Sequence, residues 1–145
     1  MPKGITIIQR WTWVYGLLFF VVVLVGHLPW FVDQRGYIFG LYSVSLFVDA
    51  GHFLAGLLAV IAAWHSHRWA TLYLRYAMIP FGLDAIVGIL FSRDITETGS
   101  LLFKGLGPPD FSTHNILANT PHIITAGVAL WLGWSFSKGI ETGPS

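Results

Sequence analysis

The sequence predicts an all-α integral membrane protein, a four-helix bundle of up-down topology that crosses the bilayer four times. Three observations predict it. Of 145 residues, 54% are hydrophobic and only 10% charged, and the mean hydropathy is +0.66, far from the soluble average. The apolar residues gather in four runs, each long enough to cross a hydrocarbon core of roughly 30 Å as a helix. A helix also satisfies every backbone N–H and C=O within one segment, as a core without water demands. A chain this short forms one domain, residues 1–145.

The first span runs over residues 11–32, where His27 is the only Asp, Glu, His, Lys or Arg. Lys3 and Arg10 precede it as in a signal peptide, but the run is too long and no small-x-small cleavage site follows, so it reads as a retained anchor. The second span covers 41–64, the third 70–91 and the fourth 115–136. An even number of crossings puts both termini on one side. Lys3, Arg10, Arg68, Arg75 and Lys138 lie near that side, against Arg35, Arg93 and Lys104 opposite. This excess predicts a cell (inner) membrane protein with cytoplasmic termini. Trp11, Trp13, Trp64, Trp69 and Trp134 then fall near the inner interface, and Trp30 and Tyr37 near the outer one, as an aromatic belt would.

On this orientation the first loop (29–40) and the third (92–113) lie outside. The third carries Asp94, Glu97 and Asp110, and its apolar stretch Leu101–Leu106 is expected to lie on the interface or cap the bundle. Pro108-Pro109 ends that stretch, and Ser112 or Thr113 is the expected N-cap of the fourth helix.

Composition also excludes functions. A net charge of +1 with no Lys/Arg cluster offers no surface for nucleic acid. The absence of cysteine removes disulfides, thiolate nucleophiles, iron–sulfur clusters and Cys-ligated zinc. No serine has a His or Lys at matching depth, so nucleophilic catalysis has no constellation.

A shift of 70 residues lays the second span on the fourth: Asp49 on Asn119, His52 on His122, Ala59 on Ala129 and Trp64 on Trp134. One face of helix two, Ser45, Asp49, His52, Gly56, Ala59 and Ala63, follows the alternating four-three spacing of a packing seam. Helix four repeats it with Asn115, Asn119, His122, Ala126, Ala129 and Gly133. The small residues of the inner half let membrane helices approach closely. The match predicts a parallel duplication of a helical hairpin, although the first and third spans do not align.

The outer half of both seams is polar. Counted from the span ends, Asp49, Asp84 and His122 fall at similar depth, with His52 and Asn119 one turn away. Ionisable groups in lipid face inward and find partners, so these five are expected to form one polar centre, with His27 at its upper edge. Pro121 and Pro80 free the carbonyls of Leu117 and Tyr76 nearby. Such a centre reads in several ways. It serves as a hydrogen-bonded network that fixes helix register; as a tetrapyrrole site, with His52 and His122 ligating a haem or one of them a chlorophyll; as a divalent metal site of His52, His122, Asp49 and Asp84; or as a step in proton or ion transfer. His65-Ser66-His67 at the inner loop reads as an interfacial turn ahead of a metal site.

The segment Gly40-Leu41-Tyr42-Ser43-Val44-Ser45 through Asp49, His52 and Gly56, with Asn119-Thr120-Pro121-His122 and Gly127, resembles a bacterial group of four-helix integral membrane proteins known only as a domain of unknown function. Those proteins place a polar residue, a His and a Gly on helices two and four. The resemblance covers most of the chain after Gly40 and implies the topology without an activity. This chain departs from the group in Asp49, where Asn is commoner, in Pro121 and in the apolar third loop.

The leading expectation is a non-catalytic membrane protein with a binding or organising role, an accessory subunit that meets the lipid bilayer and a larger membrane complex or a second copy. A tetrapyrrole-binding electron-transfer or pigment protein is the alternative, and a proton or ion carrier the third.

Overall fold

The structure, a computed structural model, describes residues 4–91 and 107–136. Four helices in it are long and apolar enough to cross a membrane: α1 (Ile7–Gly26), α2 (Leu46–His65), α3 (His67–Phe91) and α4 (Thr113–Phe136). The protein is an all-α four-helix bundle. The expected interfacial stretch 101–106, with Lys3, Arg93, Asp94, Glu97, Lys104 and Lys138, lies outside the described residues.

Helix α1 begins before its apolar run because Thr6 caps it. The Thr6 hydroxyl accepts from the Gln9 N–H at 3.3 Å, and the Gln9 side chain accepts from the Thr6 N–H at 3.1 Å. This capping box pairs two otherwise unpaired donors. The helix stops at Gly26 with His27 as its C-cap, six residues short of the expected end, since Pro29 disfavours helical backbone at Leu28.

Between α1 and α2 the chain forms a small hairpin that the hydrophobic pattern did not announce. Strand β1 (Tyr37–Ile38) pairs antiparallel with β2 (Tyr42–Ser43), and Val32 bridges to Ile38. Its turn places Phe39 at φ +53° and Gly40 at φ +71°, and glycine takes the second without steric cost. Asp33 ties the base: its Oδ1 accepts from the Arg35 and Tyr37 N–H groups, each at 2.9 Å. The bond from Tyr37, ahead of partial desolvation and with help from Arg35, holds this carboxyl below its ordinary value of 3.8.

Helix α2 therefore starts at Leu46, five residues later than expected, capped by the Ser45 hydroxyl. Ser66 both ends α2 and caps α3. Within α3, a π-helical turn (Tyr73–Ala77) precedes the segment that contains Pro80. Ser112 caps α4 as expected, and α4 also ends in a π turn (Leu132–Phe136). The two π turns meet where the Arg75 Nε–H donates to the Gly133 carbonyl at 2.5 Å. A Cβ on Gly133 would stand 2.8 Å from the Arg75 nitrogen, so the approach requires glycine.

Helix α1 packs chiefly on α2, and α3 chiefly on α4. Gly16 and Gly56 bring the first pair together, since a Cβ on either would lie 3.2 Å from the other's carbonyl oxygen. Small side chains thus set the contact, as membrane interfaces favour. The inner parts of both seams are buried: Ala59 and Ala129 are fully enclosed, with Ala63 and Ala126 nearly so, beside Leu74, Met78 and Leu132. The outward faces carry exposed apolar side chains such as Leu17, Leu54, Ile61, Leu83 and Ile124, a surface suited to lipid and costly in water. This is a small membrane protein.

Candidate functional site

The polar side chains that matter lie in the half of the bundle nearest the hairpin. His52 enters from α2, and its Nδ1 meets the Val48 carbonyl oxygen at 2.8 Å. His122 enters from α4, and its Nδ1 faces Asp84 Oδ2 of α3 at 3.6 Å, an ion-pair distance too long for a hydrogen bond. The side chain of Asp84 is 3% exposed. The two imidazole rings stand 5.9 Å apart, centre to centre. Three of the five expected members of the polar centre therefore do come together: His52, His122 and Asp84.

Asp49 and Asn119 do not join them in the expected way. Because residues 41–45 belong to the hairpin and the cap, Asp49 sits in the first turn of α2, near the end of the bundle. There its carboxylate pairs with His27 Nε2 at 3.2 Å. His27 thus reaches Asp49 alone at the edge of the centre. Asn119, 2% exposed, spends its amide N–H groups on the backbone and side-chain oxygens of Asn115, at 2.9 and 3.1 Å. Asn115 in turn donates to the Gly88 and Asp110 carbonyls. This amide ladder ties α4 to the end of α3, a structural task.

A four-ligand metal site from His52, His122, Asp49 and Asp84 fails on the position of Asp49. Among the described residues no three His, Asp or Glu side chains are grouped to hold a metal ion. The tetrapyrrole reading meets a different obstacle. Phe81 of α3 stands 5.6 Å from His52 and 5.7 Å from His122. Being equidistant from both histidines, its ring lies in the plane a macrocycle ligated by both would occupy. A bis-His haem would have to displace Phe81. At the inner loop, His67 Nδ1 meets the Thr6 hydroxyl at 3.0 Å while His65 packs edge-on against Trp69, so these two histidines serve different partners.

What sequence reasoning missed is a cavity of about 540 Å³ beside the histidines. That volume falls in the range of roughly 300–1,000 Å³ seen for small-molecule sites. Leu18, Phe19, Val21, Val22 and Val25 of α1 form one wall, and Ala118, Pro121, His122 and Thr125 of α4 the facing one. The hairpin roofs it with Phe31, Ile38, Phe39 and Tyr42, while Val48, Asp49 and His52 close the back. Its floor is the hydrogen bond from the Tyr15 hydroxyl to the Thr125 carbonyl, 2.7 Å. Leu18, Val21 and Val22 are 40, 52 and 36% exposed, so the cavity opens sideways between α1 and α4, toward lipid. The Leu117 carbonyl that Pro121 frees receives the Tyr42 hydroxyl at 3.4 Å, which fastens the roof to α4.

No protein-family model matches the chain, and no curated protein and no solved structure matches it at a significant level. The resemblance to four-helix membrane proteins rests on the residues quoted for it.

Proposed function

We propose that this small membrane protein is a non-catalytic binding protein for an amphipathic molecule drawn from the bilayer. The observation that carries the reading is the lateral cavity: mostly apolar walls, a mouth toward lipid, and two histidines and a carboxylate at its inner surface. Helices α1 and α4, being packed on α2 and α3 rather than on each other, leave the gap through which such a molecule enters. A few polar groups within a largely apolar lining suit a ligand with a polar head and a greasy body.

The polar groups reach the cavity from one end only, which favours binding over transport. Beyond His52, His122 and Asp84 the seams continue as Gly56, Ala59, Ala63, Ala126 and Ala129, all buried. The hydroxyls there, of Thr12, Thr71 and Tyr73, donate to backbone carbonyls within the protein. An organising role through the third loop would fall largely on residues 92–106, whereas the cavity is built from described residues alone. The surplus of Lys and Arg at the end away from the hairpin supports an orientation with the hairpin outside and the termini cytoplasmic.

Native mass spectrometry of the protein purified in mild non-ionic detergent tests the reading. A bound species of small-molecule mass is expected on the wild type. Val21→Trp, which fills the mouth from an exposed position of α1, should lose it while keeping the helical circular dichroism. An absorption spectrum of the same sample with a Soret or chlorophyll band would instead favour a tetrapyrrole.

A further inference from the structure

The lining of the cavity selects the chemistry of its ligand, because its donors are almost all spent. The Asn115 amide donates to the Gly88 and Asp110 carbonyls, the Thr125 hydroxyl to the Pro121 carbonyl at 2.7 Å, and the Tyr42 hydroxyl to the Leu117 carbonyl. His114 Nε2 lies 3.3 Å from the Gly40 carbonyl oxygen, which can only accept. Among lining side chains with a donor, only the hydroxyl of Tyr37 on the hairpin meets no protein acceptor among the described residues.

The two central histidines are held so that they accept. A backbone carbonyl faces His52 Nδ1 and a carboxylate faces His122 Nδ1. Neither group can donate, so in each neutral ring the proton sits on Nδ1 and Nε2 carries a bare lone pair. Neither Nε2 meets a protein partner among the described residues, and both histidines line the cavity. Asp49 adds a carboxylate, and no Lys or Arg lines the space. An anionic head would therefore find two acceptors and a negative charge with no cation beside them. A bare ammonium would be attracted, but moving it among Phe19, Val22, Val48 and Ala118 costs far more desolvation than moving a hydroxyl.

Resting on the binding role proposed above, we infer that the ligand is a neutral lipid headed by a hydroxyl, a long-chain, prenyl or phenolic alcohol, whose O–H donates to His52 Nε2 or His122 Nε2 while its tail lies along α1. A head with two hydroxyls satisfies both rings. Phosphate- and carboxylate-headed lipids are excluded by the same geometry.

Three probes with one tail and different heads test the inference: 1-hexadecanol, hexadecanoate and hexadecylamine, titrated separately into the purified full chain in non-ionic detergent and read by native mass spectrometry. Hexadecanol is expected to bind at least tenfold more tightly than hexadecanoate, and more tightly than hexadecylamine. Val21→Trp should lose hexadecanol altogether. His52→Leu should cut hexadecanol affinity about five- to tenfold, the loss of one hydrogen bond, with little change for hexadecanoate. His122→Leu, on the other helix, gives the same readout should the first variant not fold. Equal or tighter binding of hexadecanoate or hexadecylamine overturns the inference and leaves the binding role standing. Failure of all three to bind, with no native ligand on the purified protein, removes the binding role itself.

Discussion

Replacing Asp84 by leucine strands the Nδ1–H of His122, which has no hydrogen-bond partner and no acceptor nearer than the Asp84 carboxylate at 3.6 Å. A buried donor left unsatisfied costs about 1–3 kcal/mol. Removing the other partner, with His122→Phe, leaves a carboxylate that is only 3% exposed without its nearest ring nitrogen, a change of about 3–5 kcal/mol for a buried pair broken on one side. The two losses share one cause. In the double variant both polar groups are gone and two apolar side chains fill the space, so its cost should fall short of the sum of the single costs by about 2 kcal/mol, within the range for residues in contact. Asp84→Asn keeps an oxygen acceptor and should cost less than Asp84→Leu. Reversible unfolding of the four proteins in mixed detergent micelles measures the cycle. Single costs that add to within about 0.5 kcal/mol would refute the pairing, and with it the argument that His122 turns its Nε2 to the cavity.

Two further predictions concern the frame around the site. Gly133→Ala forces a Cβ to within 2.8 Å of the Arg75 nitrogen, whereas a Cβ on Gly127 meets nothing within 4 Å. The same exchange should therefore destabilise at 133 by about 1–3 kcal/mol from overpacking, and at 127 stabilise by up to about 1 kcal/mol from helix propensity, as thermal unfolding will show. The carboxyl of Asp33 titrates below its ordinary value of 3.8 in the folded hairpin. Its contribution is therefore complete above the unfolded value and is lost as pH falls through the lower folded one. Protection of the Tyr37 amide from hydrogen exchange should weaken on acidification below about pH 4, and Asp33→Asn should remove that pH dependence.

The bundle was legible in the sequence because lipid imposes one rule on every residue it touches. Four apolar runs could only be helices, and the seam residues from Gly56 to Ala63 and from Ala126 to Gly133 are buried where their spacing put them. The pairing of His122 with Asp84 followed from depth alone. What the pattern concealed were ends and turns, where short-range polar chemistry overrides hydropathy. The Thr6 and Gln9 capping box lengthened α1 at its start, and Pro29 shortened its other end. The hairpin used Tyr37, Ile38 and Tyr42, residues apolar enough to pass for the approach to a span. That one misreading moved Asp49 out of the polar centre, and it hid the cavity, whose roof is the hairpin. The signal was present in Asp33-Gln34-Arg35-Gly36, a turn with an acceptor side chain at its first position, and in Gly40.

The central claim is that a lipid-borne alcohol enters between α1 and α4 beneath the hairpin. Photo-crosslinking in nanodiscs tests it most directly, using a hexadecanol analogue with a diazirine in its tail and peptide mapping of the adducts. The account predicts labelling concentrated on Leu18, Val21, Val22 and Ala118, suppressed by excess hexadecanol and by Val21→Trp. Labelling spread over the exposed leucines of α2, such as Leu54 and Leu58, and insensitive to both, would contradict it.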